Sequence, residues 1–235
     1  MRKSSTLLAQ KWANICVIIY SGQRGSRFKK ASRHMKEEIV FSSFLWYEKG
    51  GVDVNFVEPI RDNNKIQDIL GYLKRTNERN YIMFMLGLYT GLRISDILKL
   101  QVKHVRDKDV IRMREQKTNK QKSIPINGPL KRALNSYVEG KEEYEYLIAN
   151  SKTGISPISR QHAYEIIRSI GIMFGVPNLG THSLRKTFGY HYYQKTNDIA
   201  ILQDIFNHSD PAITLRYIGI NEDTIADAYA SIRYF

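Results

Sequence analysis

Cysteine is nearly missing from this chain. Cys16 stands alone among 235 residues, which excludes a disulfide framework and any cysteine-based metal site. A single thiol also suits a reducing compartment. Long apolar runs are missing too: none approaches the ~18–20 residues a membrane-spanning helix needs. Met1-Arg2-Lys3 followed by Leu7 and Leu8 has the charge order of a signal peptide. Lys11 and Asn14 break the hydrophobic stretch, however, and no small-residue cleavage site follows. The chain is therefore expected to be cytoplasmic. Acidic residues are scarce. Asp and Glu number 23 against 36 Lys and Arg, a net charge of +13, and a surplus of that size favours a polyanionic partner, nucleic acid above all. An anionic membrane would be the other partner for such charge, but no Lys/Arg-rich amphipathic helix stands out. There is no cluster of Asp and Glu at metal-ligand spacing, which argues against a metal-dependent nuclease. No internal repeat is visible either.

What remains divides unevenly. Residues 1–52 carry ten Lys/Arg and three Asp/Glu, so seven of the thirteen net charges sit in the first fifth of the chain. Ser21-Gly22-Gln23-Arg24-Gly25-Ser26-Arg27-Phe28-Lys29-Lys30 has no sustained period of 3.6 or 2, and reads as a basic arm without a packed core. Gly50-Gly51 makes a joint before a main domain over 53–235. From Asp62 the pattern becomes helical: Ile66, Ile69, Leu70 and Leu73 recur at helix spacing, with Asp62 or Asn63 placed to cap. Tyr81 to Tyr89 is apolar all round, as a buried helix is, and Gly91 is placed to close it. A third helix is expected through Ile97, Leu98 and Leu100. Val110–Arg114 and Lys122–Ile126 alternate as two strands of a hairpin, turning at Lys117-Thr118-Asn119-Lys120, with a third strand expected at His104-Val105. Beyond Pro129 the chain reads as helices, apart from a loop over 151–157. The fold class is thus mainly α with a small antiparallel β-sheet (α+β).

Three patches carry chemistry. Thr90-Gly91-Leu92-Arg93-Ile94-Ser95-Asp96 puts Arg93 where one helix ends and another begins, so that guanidinium and helix N–H groups can hold one phosphate. Asp96 is spaced to orient it. His182-Ser183-Leu184-Arg185 sets two polar groups at i,i+3 on one helix face, with Thr181 as the expected cap. His208-Ser209-Asp210-Pro211-Ala212-Ile213-Thr214-Leu215-Arg216-Tyr217 sets a histidine nine residues before a tyrosine, with Pro211 suited to a helix's first turn. Taken singly, each has an ordinary reading: a surface arginine, a helix-start histidine, a core aromatic. Together, two arginines, two histidines and a phenol are the groups needed to break and rejoin a phosphodiester without a metal. Tyr190, Tyr192 and Tyr193 lie near His182, so sequence proximity alone does not choose the nucleophile.

In order and internal spacing the three patches resemble the catalytic domain of the tyrosine recombinases, the phage-integrase family, over residues 57 to 220. The resemblance also points to a lysine on the hairpin. Gln116-Lys117-Thr118-Asn119-Lys120 matches the turn and Lys117 takes the family's place, with Lys120 and Lys122 close by. The resemblance implies that Arg93, Arg185 and His208 hold the scissile phosphate, and that Tyr217 attacks to form a 3′-phosphotyrosyl bond. Lys117 then protonates the 5′-oxygen, and His182 assists proton transfer around the tyrosine. Neither ATP nor a cofactor or metal is implied. The partners implied are double-stranded DNA, further copies of the chain as a dimer or tetramer on it, and an accessory DNA-bending protein, in the nucleoid of a prokaryote or a viral host. The activity implied is site-specific recombination that integrates or excises a mobile element. The alternatives are a catalytically inactive DNA-binding regulator and a relaxase of the type IB topoisomerase kind. Two departures stand out. Asn207 occupies the position before the last histidine where the family usually has glycine, which Asn can replace if positive φ is required. A basic arm also stands where members usually carry a helical domain that clamps the other face of the DNA.

Overall fold

The computed structural model describes residues 57–114, 121–151, 156–176, 178–220 and 229–232. The expected basic arm, the hairpin turn with Lys117 and Lys120, most of the 151–157 loop and residues 221–228 and 233–235 lie outside the described residues.

Helix α1 (Asn63–Thr76) starts where Asp62 accepts a hydrogen bond from the Asn64 amide at 2.8 Å, satisfying one of the N–H groups left over at a helix start. Its apolar stripe buries Ile69 and Leu73. Asn77 caps α2 (Glu78–Thr90) in the same way through the Asn80 amide, at 3.0 Å. In α2 every residue from Ile82 to Gly87 is buried, so the helix has no solvent face and runs through the middle of the domain. It packs against α1, against α4 (Gly128–Val138) and against α6 (Ser183–Thr196). Gly91 closes α2 at φ +61, a left-handed conformation that costs a residue with a Cβ about 1–2 kcal/mol. A Cβ there would also meet the Phe188 ring at 2.5 Å.

The third helix, α3 (Ile94–Ile97), is shorter than the pattern of Ile97, Leu98 and Leu100 predicts. After one turn the bonds tighten to Lys99 N→Asp96 O and Leu100 N→Ile97 O, an i→i+3 ending that still buries both leucines. The strand expected at His104-Val105 is absent. A 3₁₀ turn covers Val102–His104, because its amides find partners elsewhere: Val102 and Lys103 donate to the carbonyls of Glu145 and Glu143, and the Gln101 amide donates to Nδ1 of His104. The sheet of the described residues is therefore one antiparallel pair, β1 (Val110–Arg114) and β2 (Gln121–Pro125), registered from Val110 opposite Pro125 to Arg114 opposite Gln121. Ile111 and Ile124 face each other across it and are buried.

α5 (Arg160–Met173) is capped by Ser159, α7 (Ile199–Phe206) by Asp198, and α8 (Pro211–Ile218) by Asp210 with Pro211 in its first turn. A second, smaller core of Leu202, Phe206, Ile218 and Ile220 lies between α6, α7 and α8. Gly189 permits that approach, since a Cβ there would stand 2.7 Å from both Phe206 and Ile218. Among the described residues no helix is long and apolar enough to cross a membrane.

Candidate active site

Arg185 organises the site. It projects from the first turns of α6, is only 2% exposed, and donates through Nη1 to the carbonyl of Gly91 and through Nη2 to that of Phe206 at 3.1 Å. Its guanidinium also lies over the Phe206 ring, 4.3 Å from the centroid. A buried cation is tolerated only when its donors are satisfied. Here the acceptors are two orphan carbonyls at the ends of α2 and α7, so one side chain joins two helix termini 94 and 21 residues away in sequence. Arg93 stands two residues beyond Gly91, at the N-cap of α3, and its charge acts on both His182 and Tyr217.

His182 is itself the residue preceding α6; Thr181, the expected cap, is not. Nδ1 of His182 lies 3.2 Å from the Tyr217 hydroxyl. Burial, followed by the positive charges of Arg185, Arg93, Lys186 and Arg160, lowers the histidine below the ordinary imidazole range. Its ring is therefore neutral near pH 7 and free to accept a proton. Burial pushes the Tyr217 phenol up, against the opposing charges of Arg185 and Arg93 and a hydrogen bond from Arg185. With burial dominant, the tyrosine is protonated in the free protein. Its ring meets His208 edge-on at 5.3 Å and Phe206 at 5.4 Å between centroids.

His208 is presented by the turn between α7 and α8. Asn207 sits at φ 54, ψ 51, so the left-handed conformation expected at this position is present, in the non-glycine residue that best tolerates it. Nδ1 of His208 lies 2.9 Å from the hydroxyl of Thr214, which is fully buried. That contact fixes the ring. The structure thus brings Arg93, His182, Arg185, His208 and Tyr217 together, while Lys117 lies outside the described residues.

Three contributors carry no sequence signal. Phe206 is one apolar residue in an apolar helix, yet its ring touches Arg185, His208 and Tyr217. Thr214 is an unremarkable position in α8. Lys186 follows Arg185; its ammonium lies 5.3 Å over the Tyr217 ring while donating to the Val57 carbonyl at 2.5 Å. Tyr190, by contrast, faces the guanidinium of Arg61, and Tyr192 stacks on Phe188.

A family model for the phage integrase family matches residues 61–223. The probable integrase/recombinase YoeC of Bacillus subtilis is 49% identical over 176 residues, which is 75% of this chain and 97% of that protein. A tyrosine recombinase of Pseudothermotoga lettingae is 28% identical over 70% of the chain, which spans only 57% of that longer protein. Among solved structures, the XerA recombinase aligns with a TM-score of 0.60 over 97% of this chain and 84% of its own; at 19% identity this likeness shows the fold alone. Because the family model covers more than half of the sequence and YoeC matches over nearly its whole length, the chain belongs to the phage integrase family, the tyrosine recombinases.

Proposed function

We propose that the chain is a site-specific DNA recombinase of the integrase type, which cuts and rejoins double-stranded DNA through a tyrosine. The observation that carries this reading is the Tyr217 hydroxyl set 3.2 Å from a neutral histidine and beside two arginines whose charges act on it. In the reaction proposed, Tyr217 Oη forms a bond to phosphorus as the P–O5′ bond breaks. The phenolic proton passes to Nδ1 of His182, and Lys117 supplies a proton to the departing 5′-oxygen. Arg93, Arg185 and His208 stabilise the charge gathering on the non-bridging oxygens; one such donor is worth about 10²–10³ in rate. A diester replaces a diester, so the covalent bond conserves the energy for rejoining, either to the original strand or to a partner.

Residues 53–235 are read as the catalytic domain and 1–52 as a basic arm toward phosphates. The enzyme would work as a dimer or tetramer on paired sites, aided by an accessory DNA-bending protein, in the nucleoid-bearing cytoplasm of a prokaryote or a virus's host. Integration or excision of a mobile element is the proposed outcome.

The test is covalent capture. The protein is incubated in EDTA and low salt with a nicked suicide DNA pool of randomised sequence, and SDS-resistant adducts are isolated. An adduct on a 3′-phosphate, lost in Tyr217→Phe, is expected, and sequencing it returns the site. An adduct that persists in Tyr217→Phe overturns the nucleophile in favour of Tyr190, Tyr192 or Tyr193. DNA binding with no adduct overturns the enzyme reading in favour of a regulator.

A further inference from the structure

Helix α7 ends in a complete hydrogen-bond arrangement that reaches outside the helix. The last four carbonyls of a helix have no partner within it. Here the Asn207 amide donates to Asp204 O and the His208 amide to Gln203 O, both at 3.1 Å, the paired pattern that a left-handed residue makes possible. The side chain of Gln203 returns to the His208 carbonyl at 3.1 Å, locking the turn from the other side. Two carbonyls remain, those of Ile205 and Phe206. Arg185 takes Phe206. The other is taken by Lys122 of β2, whose Nζ donates to Ile205 O at 2.5 Å across 83 residues of sequence. Two cations at a helix C-terminus also complement its dipole.

We propose that Lys122 is a positioning residue for DNA cleavage: it ties strand β2 to the end of α7, and so holds the His208 turn in place for the phosphate. The residues it joins have different duties. Lys122 lies five residues after Lys117 in the same hairpin, opposite Met113 of β1. Ile205 lies three residues before His208, in the helix whose last residue, Phe206, packs on both His208 and Tyr217. A general acid for the leaving oxygen and a donor to the phosphate must meet one phosphorus atom, and a displacement of about 1 Å costs on the order of a hundredfold. Lys122 is a side-chain link between β2 and the end of α7.

The activity test rests on the recombinase reading above, and a second test does not. Single-turnover cleavage is measured on the captured site, made once with the natural 5′-oxygen and once with sulfur at that bridging position. A thiolate leaves without a proton, since thiols ionise near pH 8.5, so loss of the general acid is bypassed by sulfur. Lys122→Met is expected to slow cleavage on the order of a hundredfold on both substrates, with DNA affinity kept. Lys122→Arg, which retains a donor, is expected to restore most of the rate. Rescue of Lys122→Met by sulfur would make Lys122 the acid and overturn the proposal. So would an unchanged rate, or weaker DNA binding with normal cleavage. Failure of sulfur to rescue Lys117→Ala would count against the role of Lys117 alone.

The second test is amide hydrogen exchange on the DNA-free chain. In Lys122→Met, and in the milder Lys122→Gln should the first fail to fold, the amides of Asn207 and His208 are expected to lose protection while those of α2 keep theirs. Unchanged protection at both amides overturns the tie whether or not the chain cleaves DNA.

Discussion

Around α2, six successive residues from Ile82 to Gly87 are buried against aliphatic neighbours from α1, α4 and α6. Around Tyr217 the buried hydrophobic residues are Leu202, Phe206, Ile218 and Ile220, packed with the partly exposed Phe188, Tyr190, Tyr192 and Tyr193. The first region is held by area removed from water, at roughly 25 cal/mol per Å². The second is small, aromatic and cationic, and is joined to the first by directed bonds: Arg185 to Gly91 O, and Ile60 N to the Thr187 hydroxyl at 2.8 Å. The difference shows how a domain separates stability from chemistry. Arg185, 2% exposed, sits where the carbonyls of Gly91 and Phe206 accept from its guanidinium, and Arg93 stands at the N-cap of α3.

Exchanging the roles of the two regions by mutation is the largest test of this contrast. Phe84→Ala, in the apolar core, is expected to cost about 3–5 kcal/mol in urea unfolding, with single-turnover cleavage by the folded fraction unchanged. Phe206→Leu is expected to cost less, about 1–2 kcal/mol, yet to slow cleavage at least tenfold, because its ring backs Arg185, His208 and Tyr217. Equal effects on cleavage would break the distinction. Next in size, Arg185→Lys keeps the charge but loses the fork that serves two carbonyls, and is expected to lower the cleavage rate by about 10²–10³. An effect confined to DNA affinity would show that the fork does not act on the reacting phosphate.

The pH profile sharpens the electrostatic side. His182 must be neutral to accept a proton. Its folded pKa lies below the ordinary 6.5, through burial first and then Arg185, Arg93, Lys186 and Arg160. Cleavage should therefore fall as His182 becomes protonated, with its midpoint below pH 6.5. His182→Ala should lower the plateau and remove that descent. A midpoint above 6.5 would contradict the assigned environment. The smallest effect belongs to the turn. At Asn207, with φ 54, Asn207→Gly should leave stability within a few tenths of a kcal/mol, whereas Asn207→Ala should cost about 1 kcal/mol, read in the same urea titrations.

Much of the fold is legible because helices announce their own ends. Asp62 and Pro211 stand where local chemistry requires a start and Gly91 where it requires a stop, and α1, α2 and α8 begin or end there. The hairpin is equally legible, since alternation over Val110–Arg114 and its partner is a local pattern. The third strand was not, because the residues at 101–105 find their bonding partners at 143–146, a distance no local period records. The site divides in the same way. Residue type and order along the chain determined which groups were available: Arg93, Lys117, His182, Arg185, His208 and Tyr217, together with an Asn at 207 able to turn left-handed. Only the tertiary structure decided that Arg185 spans two helix ends, that Phe206 and Thr214 hold the histidine and tyrosine rings, and that Lys122 grips α7 rather than facing solvent. Those choices depend on carbonyls left unpaired where helices end, and which side chain reaches them follows only from how the helices pack.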